Sequence, residues 1–209
     1  MLEIYLFVNP LGEQCLEAER SVLKVAEEHH DTVHYQFLPL VNLHTVEDVM
    51  QRNRLNTHDL TIRNQIFQKV YAAALDYKAA LFQGKRRGQE FLMNLQAELN
   101  FHHERYTDDL IDRLAADNGL DSEMFHEDRR SKLTAESFEA DQRIACEMQI
   151  QKHPSAVIYN YADPTQDYGI MIEDCASYEV LKQLCQGNYE AALAAKNSIK
   201  NRKQTIHIL

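Results

Sequence analysis

Redox chemistry in this chain would turn on Cys15. It closes the run Asn9-Pro10-Leu11-Gly12-Glu13-Gln14-Cys15, which follows an apolar segment and opens a helical pattern. In a dithiol site the first cysteine sits exposed at a helix N-terminus, where unpaired backbone N–H groups and the helix dipole stabilise its thiolate. Thiol–disulfide exchange at such a site uses two sulfurs, one to attack the substrate disulfide and one to resolve the mixed disulfide. Three residues before Cys15 stands Gly12, which brings no sulfur. The remaining cysteines, Cys146, Cys175 and Cys185, make no C-x-x-C pair, so neither a two-thiol site nor a zinc knuckle is written locally. Cys15 therefore has two readings, a single-thiol site or a packed core thiol. Cys146 is the distant thiol that could pair with it, provided the Cα atoms come within roughly 7 Å. Cys175 and Cys185 read as core or edge thiols.

Other chemistries find little support. The densest histidine groups are His29-His30 with His34, and His102-His103 beside Glu104. Adjacent histidines point to different sides of a helix, and neither group has the i, i+4 pair plus acid of a zinc hydrolase, so no metal site is expected. The chain carries no glycine-rich phosphate loop, nucleophile elbow or dinucleotide fingerprint, and no cofactor is expected. With 32 acidic against 22 basic residues the formal net charge is -10. Nucleic acid and anionic membrane both require a basic patch, so neither is an expected partner, while the charge does not argue against protein partners. The short basic stretches, Lys85-Arg86-Arg87 and Lys196 to Lys203, read as solvated charge. The opening MLEIYLFVN lacks a basic start and a long apolar core, and no run approaches the ~18 apolar residues of a membrane span. A cytoplasmic protein is the expectation.

The elements that must hold Cys15 follow from periodicity. Leu2 to Val8 reads as a strand, Gln14 to His29 as a helix, and Val33 to Leu40 as a second strand, which together suggest a right-handed parallel crossover. From Thr57 to Gln151 the pattern is helical throughout. Ile62, Ile66, Val70, Ala73, Ala74 and Leu81 mark one long helix; Gly84 to Gly88 reads as a turn; Phe91, Leu92, Leu95 and Leu99 mark the next helix. Thr107 is expected to cap a third that ends at Gly119, a fourth runs from Asp121 to about Arg130, and Thr134 is expected to cap a fifth. Strands return at Ser155 to Tyr161 and Asp167 to Glu173, joined by the turn-rich pentamer Ala162 to Gln166 as a hairpin. Ser177 caps a helix through Leu184, and another spans Asn188 to about Lys200. The predicted order is βαβ, a helical block, then ββα, with 1–56 and 152–209 as one domain and 57–151 as an insertion.

That order, the LEIYLFVNPLGEQCLEAE start and His153-Pro154 directly before the strand SAVIYNY resemble DsbA-like thioredoxin-fold proteins: an α/β fold with an all-helical insertion between its two halves. More narrowly, the chain is similar to the SpxH (YjbH) family of Gram-positive bacteria, DsbA-related adaptors that deliver the regulator Spx to the ClpXP protease. The family's opening is an apolar strand, Asp-Pro-Leu, then C-x-x-C; here Gly12 stands at the first cysteine, and Cys15 matches the resolving position. The resemblance implies a cis-proline at Pro154 and a peptide-binding surface made by Pro10, Leu11, Gly12, Glu13, Gln14, His153, Pro154 and Ser155. It also implies an adaptor with protein partners, an Spx-like regulator and ClpXP. Two rivals are kept. One is a thiol–disulfide oxidoreductase or glutathione-dependent isomerase working through the single Cys15 thiol, or with Asn9 and Gln14 steadying a glutathione sulfur. The other is a structural homo-oligomer.

Overall fold

Apolar residues at strand and helix spacing give fourteen elements in the computed structural model, which describes residues 1–29, 32–161, 168–175, 177–198 and 205–208. They are β1 (Leu2–Val8), α1 (Glu13–Glu28), β2 (Val33–Pro39), α2 (Leu43–Arg52), α3 (Leu60–Phe82), α4 (Lys85–Asn100), α5 (Asp108–Asp117), α6 (Ser122–Arg129) and α7 (Lys132–Glu147). β3 (Ser155–Asn160), β4 (Gly169–Glu173), α8 (Tyr178–Cys185), α9 (Tyr189–Ser198) and β5 (Thr205–Ile208) complete them. The chain divides into two compact units, residues 1–8, 14–38 and 152–209, and residues 9–13 and 39–151. The sequence reading drew its boundary after residue 56; the compact units place 39–56 with the helices. The reason is α2, whose buried Val46, Val49 and Met50 give it an apolar face that packs on α3.

The first unit is built on a five-stranded sheet in the order β2-β1-β3-β4-β5, mixed in sense. The β1–β3, β3–β4 and β4–β5 pairs are antiparallel, with Ile4 opposite Ile158 and Ala156 opposite Ile172. The predicted β3–β4 hairpin is present, although its pentamer lies outside the described residues. Strand β5 is an addition that the sequence reading lacked. Helix α1 buries Leu16, Val22 and Val25, and α8 buries Val180, Leu181 and Leu184, the stripes that amphipathic helices need in order to dock. The two are tied directly. The Tyr178 hydroxyl donates to the Glu28 carboxylate at 2.6 Å, and Lys24 Nζ lies 4.0 Å from the Tyr178 ring centre.

The second unit is helical, with a core of Ala73, Phe91, Leu95, Ile111, Leu114 and Phe125 among others. Thr107 caps α5 by accepting from the Leu110 amide, and Gly119 follows α5 at φ +67°, as expected. Two expectations are corrected. Helix α4 begins at Lys85, so the basic triplet and Gly88 are helical rather than a turn; the turn is confined to Gln83 and Gly84. The cap of α7 is Ser131, whose hydroxyl accepts from the Thr134 amide, so Thr134 lies buried inside the helix. Both misplacements share a cause: glycine and β-hydroxyl residues mark helix ends only when the chain direction changes there.

Gly88 has a packing role instead. A Cβ built there would lie 2.8 Å from the Leu81 Cα and N atoms, so α3 and α4 approach at backbone distance. Gly88→Ala is expected to destabilise the helical unit by about 1–3 kcal/mol despite alanine's better helix propensity, measured by urea unfolding. An unchanged midpoint would show that the two helices separate freely.

The helical unit also buries charge. Lys78 Nζ meets Asp141 Oδ2 at 2.6 Å, with both side chains almost wholly enclosed. Asp76 receives Arg129 Nε on one carboxylate oxygen and the Tyr106 hydroxyl on the other, each at 2.5 Å. Burial pushes the Asp76 carboxyl up while Arg129 and Tyr106 pull it down, and the net direction is upward. Burial likewise drives the Tyr106 phenol upward.

Candidate functional site

Strand β1 delivers the chain into the turn that opens α1. The turn is fixed by Asn9, which is fully buried: its side-chain Oδ1 accepts from the Leu11 amide at 2.9 Å, and its carbonyl accepts from the Gly12 amide at 2.9 Å. Asparagine suits this place because its short side chain mimics a backbone turn two residues on. Within the helical unit, Gln96 Nε2 donates to the Asn9 carbonyl at 3.2 Å, and Leu11 packs against the helical core. Asn100 Nδ2 donates to the carbonyls of Gln96, at 2.7 Å, and Leu11, at 3.4 Å. Gln96 and Asn100 are positioning residues that no sequence signal marked, and Asn9, expected as a possible partner of a glutathione sulfur, instead holds the turn. Asn9 is committed to this turn.

Pro10 and Gly12 are buried, whereas Glu13 and Gln14 are exposed at the start of α1. Cys15, one residue further on, has no exposed surface. Within the sheet unit its Sγ lies 3.4 Å from His153 Nδ1, a contact between residues 138 apart in sequence. His153 is half-buried, and the His153–Pro154 peptide is cis. Pro154 is buried and its carbonyl accepts from the Cys175 amide at 3.2 Å, while the Ser155 hydroxyl donates to the Lys152 carbonyl at 2.9 Å. The first bond ties the segment before β3 to the residues just beyond β4, and the second closes the turn from Lys152 to Ser155.

All four cysteines are free thiols. Cys175 is buried and Cys185 half-buried; burial pushes the Cys175 thiol up and the Cys185 thiol up to about 12, which disfavours the nucleophilic thiolate. Cys146 is exposed. Native protein treated with a slow alkylating reagent is expected to modify Cys146 first, with Cys15, Cys175 and Cys185 protected until unfolding, as read by peptide mass mapping. Early modification of Cys15 would mean that its enclosure opens readily. Among the described residues, no three His, Cys, Asp or Glu side chains converge to hold a metal ion.

A sheet of this order, with a helix leading from β1, a cis-proline before β3 and helices inserted between the halves, defines a thioredoxin-fold protein of the DsbA type. The chain belongs to the thioredoxin family whose model, described as Thioredoxin (Thioredoxin_5), matches residues 5–183. Among solved structures it is similar to BdbD from Bacillus subtilis, with a TM-score of 0.62, 15% identity and coverage of 90% of this chain and 88% of that one. It is also similar to the thiol-disulfide exchange protein alpha-DsbA2 from Wolbachia pipientis, with a TM-score of 0.60, 11% identity and coverage of 89% and 81%. At these identities the likeness concerns fold. Among curated proteins it is 26% identical over 199 residues to the ClpXP adapter protein SpxH of Bacillus subtilis, covering 88% of this chain and 66% of that protein. It is 27% identical over 181 residues to SpxH of Staphylococcus saprophyticus, covering 86% and 63%. The chain thus spans a little under two thirds of the length of these relatives. Among the described residues, no helix is long and apolar enough to cross a membrane.

Proposed function

We propose that this chain is a cytoplasmic, protein-binding adaptor that presents a client regulator of the Spx type to the ClpXP protease. The observation that carries the reading is the G-x-x-C opening: the attacking position holds Gly12, and the thiol that remains, Cys15, is fully enclosed. A two-thiol exchange cycle has no first sulfur, so this chain's fold is left with non-covalent recognition. The similarity to SpxH proteins over most of the chain supports the same reading. The residues we assign to peptide recognition are Pro10, Leu11, Gly12, Glu13, Gln14, His153, Pro154 and Ser155. The test is reconstitution: purified ClpXP and an Spx-like regulator, with and without this chain. Faster loss of the regulator in its presence is the expected result; an unchanged rate overturns the proposal.

A second reading is favoured by one contact, Cys15 Sγ beside His153 Nδ1. An imidazole next to a thiol can accept its proton and hold a thiolate, so Cys15 would act as a single-thiol nucleophile. Alkylation of Cys15 in the native protein with an apparent pKa well below the ~8.5 of a free cysteine would establish it. Silence until unfolding would leave the adaptor reading standing.

A further inference from the structure

The inference concerns the end of the β1–β3 pair that lies away from Ser155. On β1, Glu3 and Tyr5 alternate with the buried Leu2, Ile4 and Leu6, so they project from the opposite face of the sheet. Tyr159 stands directly across from Glu3 on β3. Tyr161 continues the ladder on the same face, its amide donating to the Met1 carbonyl at 2.9 Å. One carboxylate is thus flanked by three tyrosines, and the Tyr5 hydroxyl donates to Glu3 Oε2 at 2.8 Å. The ring centres of Tyr5 and Tyr159 are 6.2 Å apart with their planes at 85°; those of Tyr159 and Tyr161 are 6.1 Å apart at 15°. Tyr159 is also fixed from its other side. Gly169 of β4 lies opposite it, and a Cβ built there would come 2.8 Å from the Tyr159 Cζ, so the ring rests against the glycine. Glu3, Tyr5 and Tyr159 are half-buried and Tyr161 is 58% exposed, which makes a fixed corner open to solvent.

Perpendicular aromatic rings beside a carboxylate are the chemistry that holds a cation. A cation is attracted to a ring face within ~6 Å of its centre, and rings spaced as these are let one cation reach two of them at once. Among the described residues, the only side-chain partner of Glu3 is the Tyr5 hydroxyl, and no lysine, arginine or histidine pairs with Glu3 or lies over the three rings. Burial and the Glu3 carboxylate push the Tyr5 phenol up to about 12, so Tyr5 stays a neutral donor and does not compensate the charge. Covering Gly169 accounts for Tyr159, but it does not account for an uncompensated acid among three rings. A guanidinium suits the corner better than an ammonium. Its plane stacks on a ring while its N–H fork reaches the carboxylate, and it is more weakly hydrated. We propose that Glu3, Tyr5, Tyr159 and Tyr161 form a binding site for an arginine side chain of a partner protein. The site is distinct from the recognition surface assigned above, and it stands whether or not the adaptor reading does.

The test follows the backbone amides of the full, isotope-labelled chain by NMR as a capped Gly-Arg-Gly peptide is added. Matched peptides carry citrulline, which keeps the shape of arginine without its charge, or lysine. Saturable shifts concentrated at Glu3, Tyr5, Tyr159 and Tyr161 are expected with arginine, none with citrulline, and severalfold weaker binding with lysine. Glu3→Gln should weaken arginine binding about tenfold. Tyr161→Leu should weaken it about two- to fivefold, and Tyr161→Phe, which keeps the ring, should restore it. Glu139→Gln removes one exposed acid from α7 and should change nothing, which separates this site from the overall negative charge. Because Tyr161 is exposed, its two variants keep the test valid should Glu3→Gln disturb the sheet. Shifts scattered over the acidic surface, equal shifts with citrulline, or lysine binding as tightly as arginine overturn the proposal. So does a loss on Glu139→Gln equal to that on Glu3→Gln, or binding untouched by Tyr161→Leu. Self-association in sedimentation that Tyr161→Leu dissolves overturns it as well, because the occupant is then a second copy of this chain.

Discussion

Lys78→Met should lower the stability of the helical unit by about 3–5 kcal/mol, a large fraction of the ~5–15 kcal/mol that holds a domain of this kind together. Lys78 and Asp141 are enclosed and meet at 2.6 Å, so removing the cation strands a carboxylate in low dielectric. Breaking one partner of such a pair is far costlier than replacing both: Lys78→Met/Asp141→Leu should recover most of the loss, because well-packed apolar side chains remove the desolvation cost on each side. The pH dependence has a definite sign. Burial already pushes the Asp141 carboxyl up, and Lys78 is the group that opposes this. Without Lys78 the folded-state pKa rises further above its unfolded value, so the folded state favours the protonated acid. The variant should therefore regain stability as pH falls through that raised pKa toward the ordinary carboxylate value of ~3.9. Urea titrations at several pH values measure both effects. A midpoint for Lys78→Met equal to wild type, or a variant that gains nothing on acidification, would show that the pair is solvated in solution.

The second expected result concerns redox turnover. In an insulin-reduction assay with dithiothreitol, the wild-type chain should not exceed the reagent's own rate, whereas Gly12→Cys should raise it about tenfold or more. The variant would place two thiols three residues apart at the start of α1, within the reach that a disulfide requires. The new thiol would sit at the helix N-terminus, where the dipole favours thiolate. Position 12 is buried, so the gain should stay modest compared with an exposed dithiol site. A thiol titration showing two sulfurs lost on oxidation of the variant, and none in wild type, checks the bond itself. Turnover by the unaltered protein would overturn both this account and the adaptor proposal, since the vacancy at Gly12 would then have no consequence.

The local pattern of residues determined a good deal about this protein. Alternating apolar runs marked β1, β2, β3 and β4, and helical spacing marked α1, α3, α4, α5 and α8, because a buried stripe is written into the sequence at the period of its own element. Gly12 and Cys15 could be read as a broken two-sulfur site through the family resemblance, which places a cysteine where Gly12 stands. Short elements escaped. Helix α2 has only Thr45, Val46, Val49 and Met50 to bury, and β5 is four residues whose backbone partners lie on β4; both owe their existence to a neighbour. The cap of α7 fell to Ser131 because backbone direction, not residue type, decided between two hydroxyls. What only the tertiary structure decided are contacts between residues far apart in the chain: Cys15 with His153, Asn9 with Gln96, and Lys78 with Asp141. Polar side chains carry no periodic signal of their own. Their partners are chosen by which elements the apolar stripes bring together, and that choice is made in three dimensions.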